Sequence, residues 1–144
     1  AFAKSQSAAG NELPQKGNIF VSVKDSDKSK IINDIKQLHS LGFKIFGTSG
    51  TSKFLNSAGI KCKTINKVYQ GSPHIVDSLN EGRISVVINT SEGSKSISDS
   101  FSLRRSALIN KVPYFTTLAS TKACVEAITS KRKNILEVRA LQET

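Results

Sequence analysis

A Thr-Ser-Gly-Thr run at positions 48–51 is the stretch of this sequence best suited to chemistry. Gly50 lets the backbone approach a ligand closely. A helix starting there would present unpaired N–H groups and the positive end of its dipole, so Thr48, Gly50 and Thr51 together suit a phosphate. The same four residues also suit a turn and helix cap with no ligand, and alone they leave both readings open. Lys28 and Lys67 can supply charge-assisted hydrogen bonds to one anion, and Asn89 offers a carboxamide that fits a base or a ribose. Taken singly, each lysine reads equally well as a solvated surface group.

Other chemistries lack their parts. There is no GxxxxGK[ST] and no GxGxxG, so nucleotide hydrolysis and dinucleotide redox chemistry have no visible machinery. No Ser/His/Asp set or carboxylate pair can be assembled from the strand ends. Cys62 and Cys124 stand far apart, outside any CxxC pattern, and read as plain buried thiols. His39 and His74 have no Cys, Asp or second His at ligand spacing, so neither reads as a metal ligand.

The elements that must carry these residues alternate strand and helix, the pattern of a parallel sheet covered on both faces. Strands are predicted at Ile19–Val23, Phe43–Gly47, Ile60–Ile65, Ile84–Asn89 and across the VPYFTT run, the fourth being the most apolar and the expected centre of the sheet. Asp25 or Ser26 would cap a helix whose apolar positions Ile31, Ile32, Ile35, Leu38 and Leu41 recur at three- and four-residue spacing, ended by Gly42. TSGT would turn into a short helix ending at Gly59. A further helix would follow Pro73, a long one would run from Ser96 to Asn110, and a last one from Thr121 to Lys131, with the tail after Asn134 extended. In such a sheet ligands bind beyond the carboxyl ends of the strands. The residues expected there are polar throughout, from Lys24 to Lys28, then Asn66 and Lys67, Asn89 to Ser91, and Thr116 and Thr117.

With 144 residues the chain fits one domain. Residues 1–17, a small-residue helical run and a Gly/Pro linker, read as the end of a preceding domain, and 18–144 as the domain proper. No apolar run approaches the roughly 20 residues of a membrane span, and the first residues do not read as a secretory signal, so the expected location is the cytoplasm. The formal charge of +10 favours anionic partners without choosing among them. A nucleic-acid interface would need clustered basic residues interleaved with aromatics, and the few aromatics here fall mostly inside apolar strands and helices.

The runs AFAKSQ, FVSVKDSDK, GTSGT, NKVYQGSPHIVD, VVINTSEG and DSFSLRRSALINKVPYFTT closely resemble the C-terminal allosteric domain of carbamoyl-phosphate synthase large chains, a methylglyoxal-synthase-like family. The resemblance covers nearly the whole chain. It implies a three-layer α/β/α fold on a five-stranded parallel sheet in the order 3-2-1-4-5. It also implies an effector pocket for UMP or IMP formed by Lys28, Thr48, Gly50, Thr51, Lys67, Asn89 and Ser91, the last a Thr in many relatives. Where relatives carry two basic residues after the INT loop, this chain has Ser94-Lys95. Asp99, Tyr114 and Thr116 match part of an ornithine site at the seam with the preceding domain. The resemblance further implies no cofactor in this domain. The parent enzyme would use ATP, Mg2+ or Mn2+ and K+, and its partners would be the preceding synthetase domains and a glutaminase small chain, with room for contacts between copies. The alternative, a methylglyoxal synthase acting on dihydroxyacetone phosphate, needs a carboxylate in a Gly-Gly-Asp run after the third strand. This chain has Tyr69-Gln70-Gly71-Ser72 instead.

Overall fold

Residues 17–65, 74–90 and 97–143 are described by the structure, a computed structural model; at 97–100 and 134–143 it describes the backbone alone. The β-rich runs form strands β1 (Asn18–Ser22), β2 (Lys44–Gly47), β3 (Cys62–Thr64), β4 (Val86–Asn89) and β5 (Tyr114–Phe115), and the helices are α1 (Asp25–Ser40), α2 (Ser49–Ser57), α3 (Ile75–Asn80), α4 (Ile97–Ile109) and α5 (Leu118–Glu143). All pairings are parallel, in one five-stranded sheet ordered β3-β2-β1-β4-β5. This is the order the family resemblance implies. β4 is buried along its whole length, but the strand at the centre is β1.

Strand alternation sends neighbouring residues to opposite faces. Ile19, Val21, Ile45, Val86 and Ile88 face one side, where they meet Ile31 and Ile35 of α1, Leu55 of α2 and Ile128 of α5. Phe20 and Val87 face the other, against Ile75 and Leu79 of α3 and Leu103 and Ala107 of α4. A one-residue slip of β1 would exchange these sets, so both cores fix its register. The crossovers change face between β1 and β4. The loop after β1 leads to α1 on the first face and the loop after β4 leads toward α4 on the second, which opens a crevice between the two strand ends.

Three boundaries differ from the sequence expectation. Lys24, not Asp25 or Ser26, occupies the N-cap of α1 and makes no side-chain cap bond; Asp25 and Asp27 sit in the first turn, where their charge favours the positive end of the dipole. The TSGT run is no separate turn, since Ser49 and Gly50 already belong to α2. The last helix neither starts at Thr121 nor stops at Lys131: α5 is a single helix of 26 residues, and the expected extended tail is helical to Glu143. The stretch from Leu118 to Glu143 holds no Gly or Pro to stop it. Arg132 of α5 donates from Nη1 to the carbonyl of Leu41 at 2.8 Å, so the last helix caps the end of the first.

Candidate functional site

The carboxyl ends of β1, β2 and β4 meet around the first turns of α1 and α2. The N-terminal N–H groups of a helix have no intrahelical partner, and Thr48, the N-cap of α2, makes no side-chain cap bond to them. Its hydroxyl donates instead to Thr51 Oγ1 at 3.3 Å, and Thr51 Oγ1 also accepts the backbone N–H of Val23 at 3.3 Å. Both threonines are buried. The first turn of α2 is thereby tied to the end of β1, and Thr48 gives its amides no hydroxyl cap.

Lys28 supplies the charge. From the first turns of α1 its ammonium group lies 3.4 Å from where a Cβ on Gly50 would stand, and it pairs with Asp25 Oδ1 at 2.6 Å. The lysine side chain is 20% exposed while Asp25 is 96% exposed, so the cation is largely embedded and its counter-charge is replaceable. The ammonium holds the Asp25 carboxyl below its ordinary range, through their hydrogen bond and then their Coulombic attraction. Gly50 does not need glycine for a positive φ, and a methyl there would touch Lys28 at ordinary contact distance. The close approach that demands glycine occurs at Gly47 instead. A Cβ there would lie 3.0 Å from the carbonyl oxygen of Val21 and 3.4 Å from the nitrogen of Ser52, where α2 runs tightly onto β1. This glycine serves the packing of α2 on the sheet, a requirement signalled by its strand-ending position.

Asn89 closes β4 beside Ser22 of β1. It is buried, and its Nδ2 donates to the hydroxyl of Tyr114 at 2.9 Å. One residue from the expected nucleotide set and one from the expected ornithine set are therefore in direct contact. Arg104 of α4 lies over the Tyr114 ring, 5.3 Å from its centroid. Thr90 accepts the N–H of Lys24 at 3.3 Å across the crevice between β1 and β4. Thr90 belongs to the polar strand-end run expected from the sequence, whereas Arg104 is not marked out for the site by residue type or spacing. Thr116, just after β5, is partly buried. Lys67, Ser91 and the Tyr69–Ser72 run lie outside the described residues, as does the side chain of Asp99.

Several groups are structural. His74 caps α3: its Nδ1 accepts the N–H of Asp77 at 3.4 Å while Asp77 Oδ2 accepts the N–H of His74 at 3.1 Å. Both cysteines are buried thiols, and burial pushes Cys124 up to about 12. Among the described residues no group of three or more His, Cys, Asp and Glu could hold a metal ion, and no helix is long and apolar enough to cross a membrane.

Comparison with known proteins names the architecture. Residues 30–116, which run from within α1 through β5, match the model of the MGS-like domain. This chain belongs to the MGS-like domain family. It is 50% identical over 143 residues to the carbamoyl phosphate synthase large chain of Mesorhizobium japonicum, covering 99% of this chain and 12% of that protein. It is 46% identical to the large chain of Myxococcus xanthus, over 99% of this chain and 13% of that one. To the C-terminal section of the large chain from Aquifex aeolicus it is 44% identical, over 99% of this chain and 28% of that protein. This MGS-like domain thus spans a small part of the length of its curated relatives. The crystal structure of methylglyoxal synthase from Elizabethkingia anophelis superposes with a TM-score of 0.60 at 14% identity, covering 78% of this chain and 79% of that one, and shares the fold.

Proposed function

We infer that this MGS-like domain is an effector-binding regulatory unit of a carbamoyl phosphate synthase large chain, and that it takes a nucleoside monophosphate, UMP or IMP, at the strand ends. The observation that carries the reading is the embedded Lys28 ammonium standing at the uncapped first turn of α2. A phosphate there would gain helix amides and one cation, displacing the exposed Asp25 carboxylate. Adjacent strands lie about 4.8 Å apart, so β2 and β4 are separated by roughly 10 Å, a span that suits a phosphate on α2 with its ribose or base toward Asn89. Lys67 and Ser91 complete the proposed set. Asp99, Tyr114 and Thr116 would form this domain's share of an ornithine site, the remaining ligands coming from a preceding synthetase domain. The domain itself would carry out no reaction. Glutamine-dependent, ATP-driven carbamoyl phosphate synthesis, with Mg2+ or Mn2+ and K+, would belong to the larger chain and its glutaminase partner in the cytoplasm.

Calorimetric titration with UMP, IMP and uridine tests this. UMP and IMP are expected to compete for one site and uridine to bind far more weakly. Lys28→Ala and Lys67→Ala are each expected to weaken UMP roughly ten- to a hundredfold, the range of hydrogen bonds to a charged group. Variants that bind UMP like the wild type at low salt, or that lose uridine and UMP equally, would remove both lysines from the phosphate.

A further inference from the structure

Among the described residues, the helices on the second face leave part of the sheet open. A parallel sheet is ordinarily buried on both faces, but α3 has only six residues and at about 1.5 Å each spans roughly 9 Å. It packs with α4 over β1 and β4. Phe46 of β2 and Ile65 beyond β3 are left partly buried, although both belong to that core. Beside α3 this leaves a groove of about 470 Å³, within the range of small-molecule sites. Phe46, Ile65 and Ile84 give it an apolar floor, while Lys63 and Arg83 stand among its lining residues, none of which is acidic.

Its wall is built. Asn18 Nδ2 donates to the carbonyl of Arg83 at 2.7 Å, the N–H of Arg83 closes onto Ser78 at 2.9 Å, and the N–H of Ser85 donates to the carbonyl of Asn18 at 2.7 Å. The backbone that carries the Arg83 guanidinium is thus fixed to both β1 and α3. The side chain itself is exposed and paired with Glu81 at 2.9 Å, an ion pair that an incoming anion can exchange at little cost. None of the groove's lining residues belongs to the strand-end set, although Thr64 donates to the Ser52 hydroxyl of α2 at 3.1 Å.

We propose that this groove is a second binding site, for a small flat aromatic anion whose ring lies on Phe46 and whose charged group is met by Lys63 and Arg83. The floor rewards a ring by burial and stacking, and the cations select for charge. The proposal does not depend on the nucleotide reading.

The test is an amide NMR titration of the ¹⁵N-labelled chain with 2-naphthoate, with 2-naphthylmethanol as the uncharged control and inorganic phosphate as the anion without a ring. Saturable shifts are expected at Phe46, Thr64, Ser78 and Arg83 with the carboxylate alone, and they should persist when UMP is present. Lys63→Gln and Arg83→Gln, both at exposed side chains and therefore expected to fold, should each weaken binding roughly three- to tenfold, a charge-assisted bond discounted for solvent. The double variant should weaken it further. The proposal fails if no saturable shift appears in the millimolar range, if shifts fall only on Thr48 to Thr51, if the alcohol or phosphate does as well as naphthoate, or if the double variant binds like the wild type.

Discussion

The two faces of the sheet divide the work of the molecule. On the first, α1, α2 and α5 close over aliphatic side chains, and Ile19, Val21, Ile31, Ile35 and Ile128 have no exposed surface at all. Among the described residues the second carries a smaller buried cluster, centred on Phe20, Leu79 and Val87, and an open groove beside α3. Three large apolar side chains on α4, Phe101, Leu108 and Ile109, are more than half exposed. Close packing on one face holds the fold, which leaves the other free to carry polar contacts and cavities that contribute little to stability.

Core truncation should give the largest contrast. Ile35→Ala on the first face should cost about 3–5 kcal/mol in urea denaturation, and Leu103→Ala on the second about 2–3, because a looser surround relaxes into the cavity. Equal losses would erase the distinction. An intermediate effect belongs to Tyr114→Phe, which removes the hydroxyl that accepts from Asn89 Nδ2. Asn89 is buried, so this variant should lose about 1–2 kcal/mol, while the ring stays in place under Arg104. A loss below a few tenths would mean that Asn89 is satisfied without the hydroxyl.

The smallest effect is expected at the α1–α5 seam of the closed face. Burial raises Asp34 above the ordinary carboxylate range, Lys122 opposes the shift and Glu126 adds to it. A carboxyl raised in the folded state binds its proton more tightly there than when unfolded, so its contribution is most favourable below the unfolded value of 3.8 and is lost as pH rises through the folded value. Asp34→Asn should therefore be stabilising at pH 7 by no more than about 0.5 kcal/mol, given partial exposure, and the gain should vanish in acid. A gain that grows on acidification would reverse the assignment.

Much of this fold is written locally. Alternating β-rich and helical runs predict each strand and helix among the described residues, and Gly42 and Gly59 stop α1 and α2 near the predicted points with φ of 101° and 87°. Boundaries were less legible. The N-cap of α1 is a lysine, which no capping rule selects, and α5 continues because nothing in its last turns forbids a helix. Of the site, Lys28, Thr48, Gly50 and Thr51 come together as their strand-end positions suggest. The bond from Asn89 to Tyr114 joins residues 25 positions apart and depends on how β4 and β5 pair, which residue types and spacing do not encode. Gly47 was hidden for a similar reason, since its constraint comes from the carbonyl of Val21 on a neighbouring strand.

The hydroxyl bonds at the end of β1 make two adjacent peptide groups into separate reporters. The amide of Val23 is held by Thr51 of α2 and the next amide, that of Lys24, by Thr90 beyond β4. A molecule entering from the α2 side would disturb the first resonance, and one prising β4 from β1 the second. Neighbouring peaks in one spectrum, followed by exchange rate or by chemical shift, would then tell which wall of the crevice has moved.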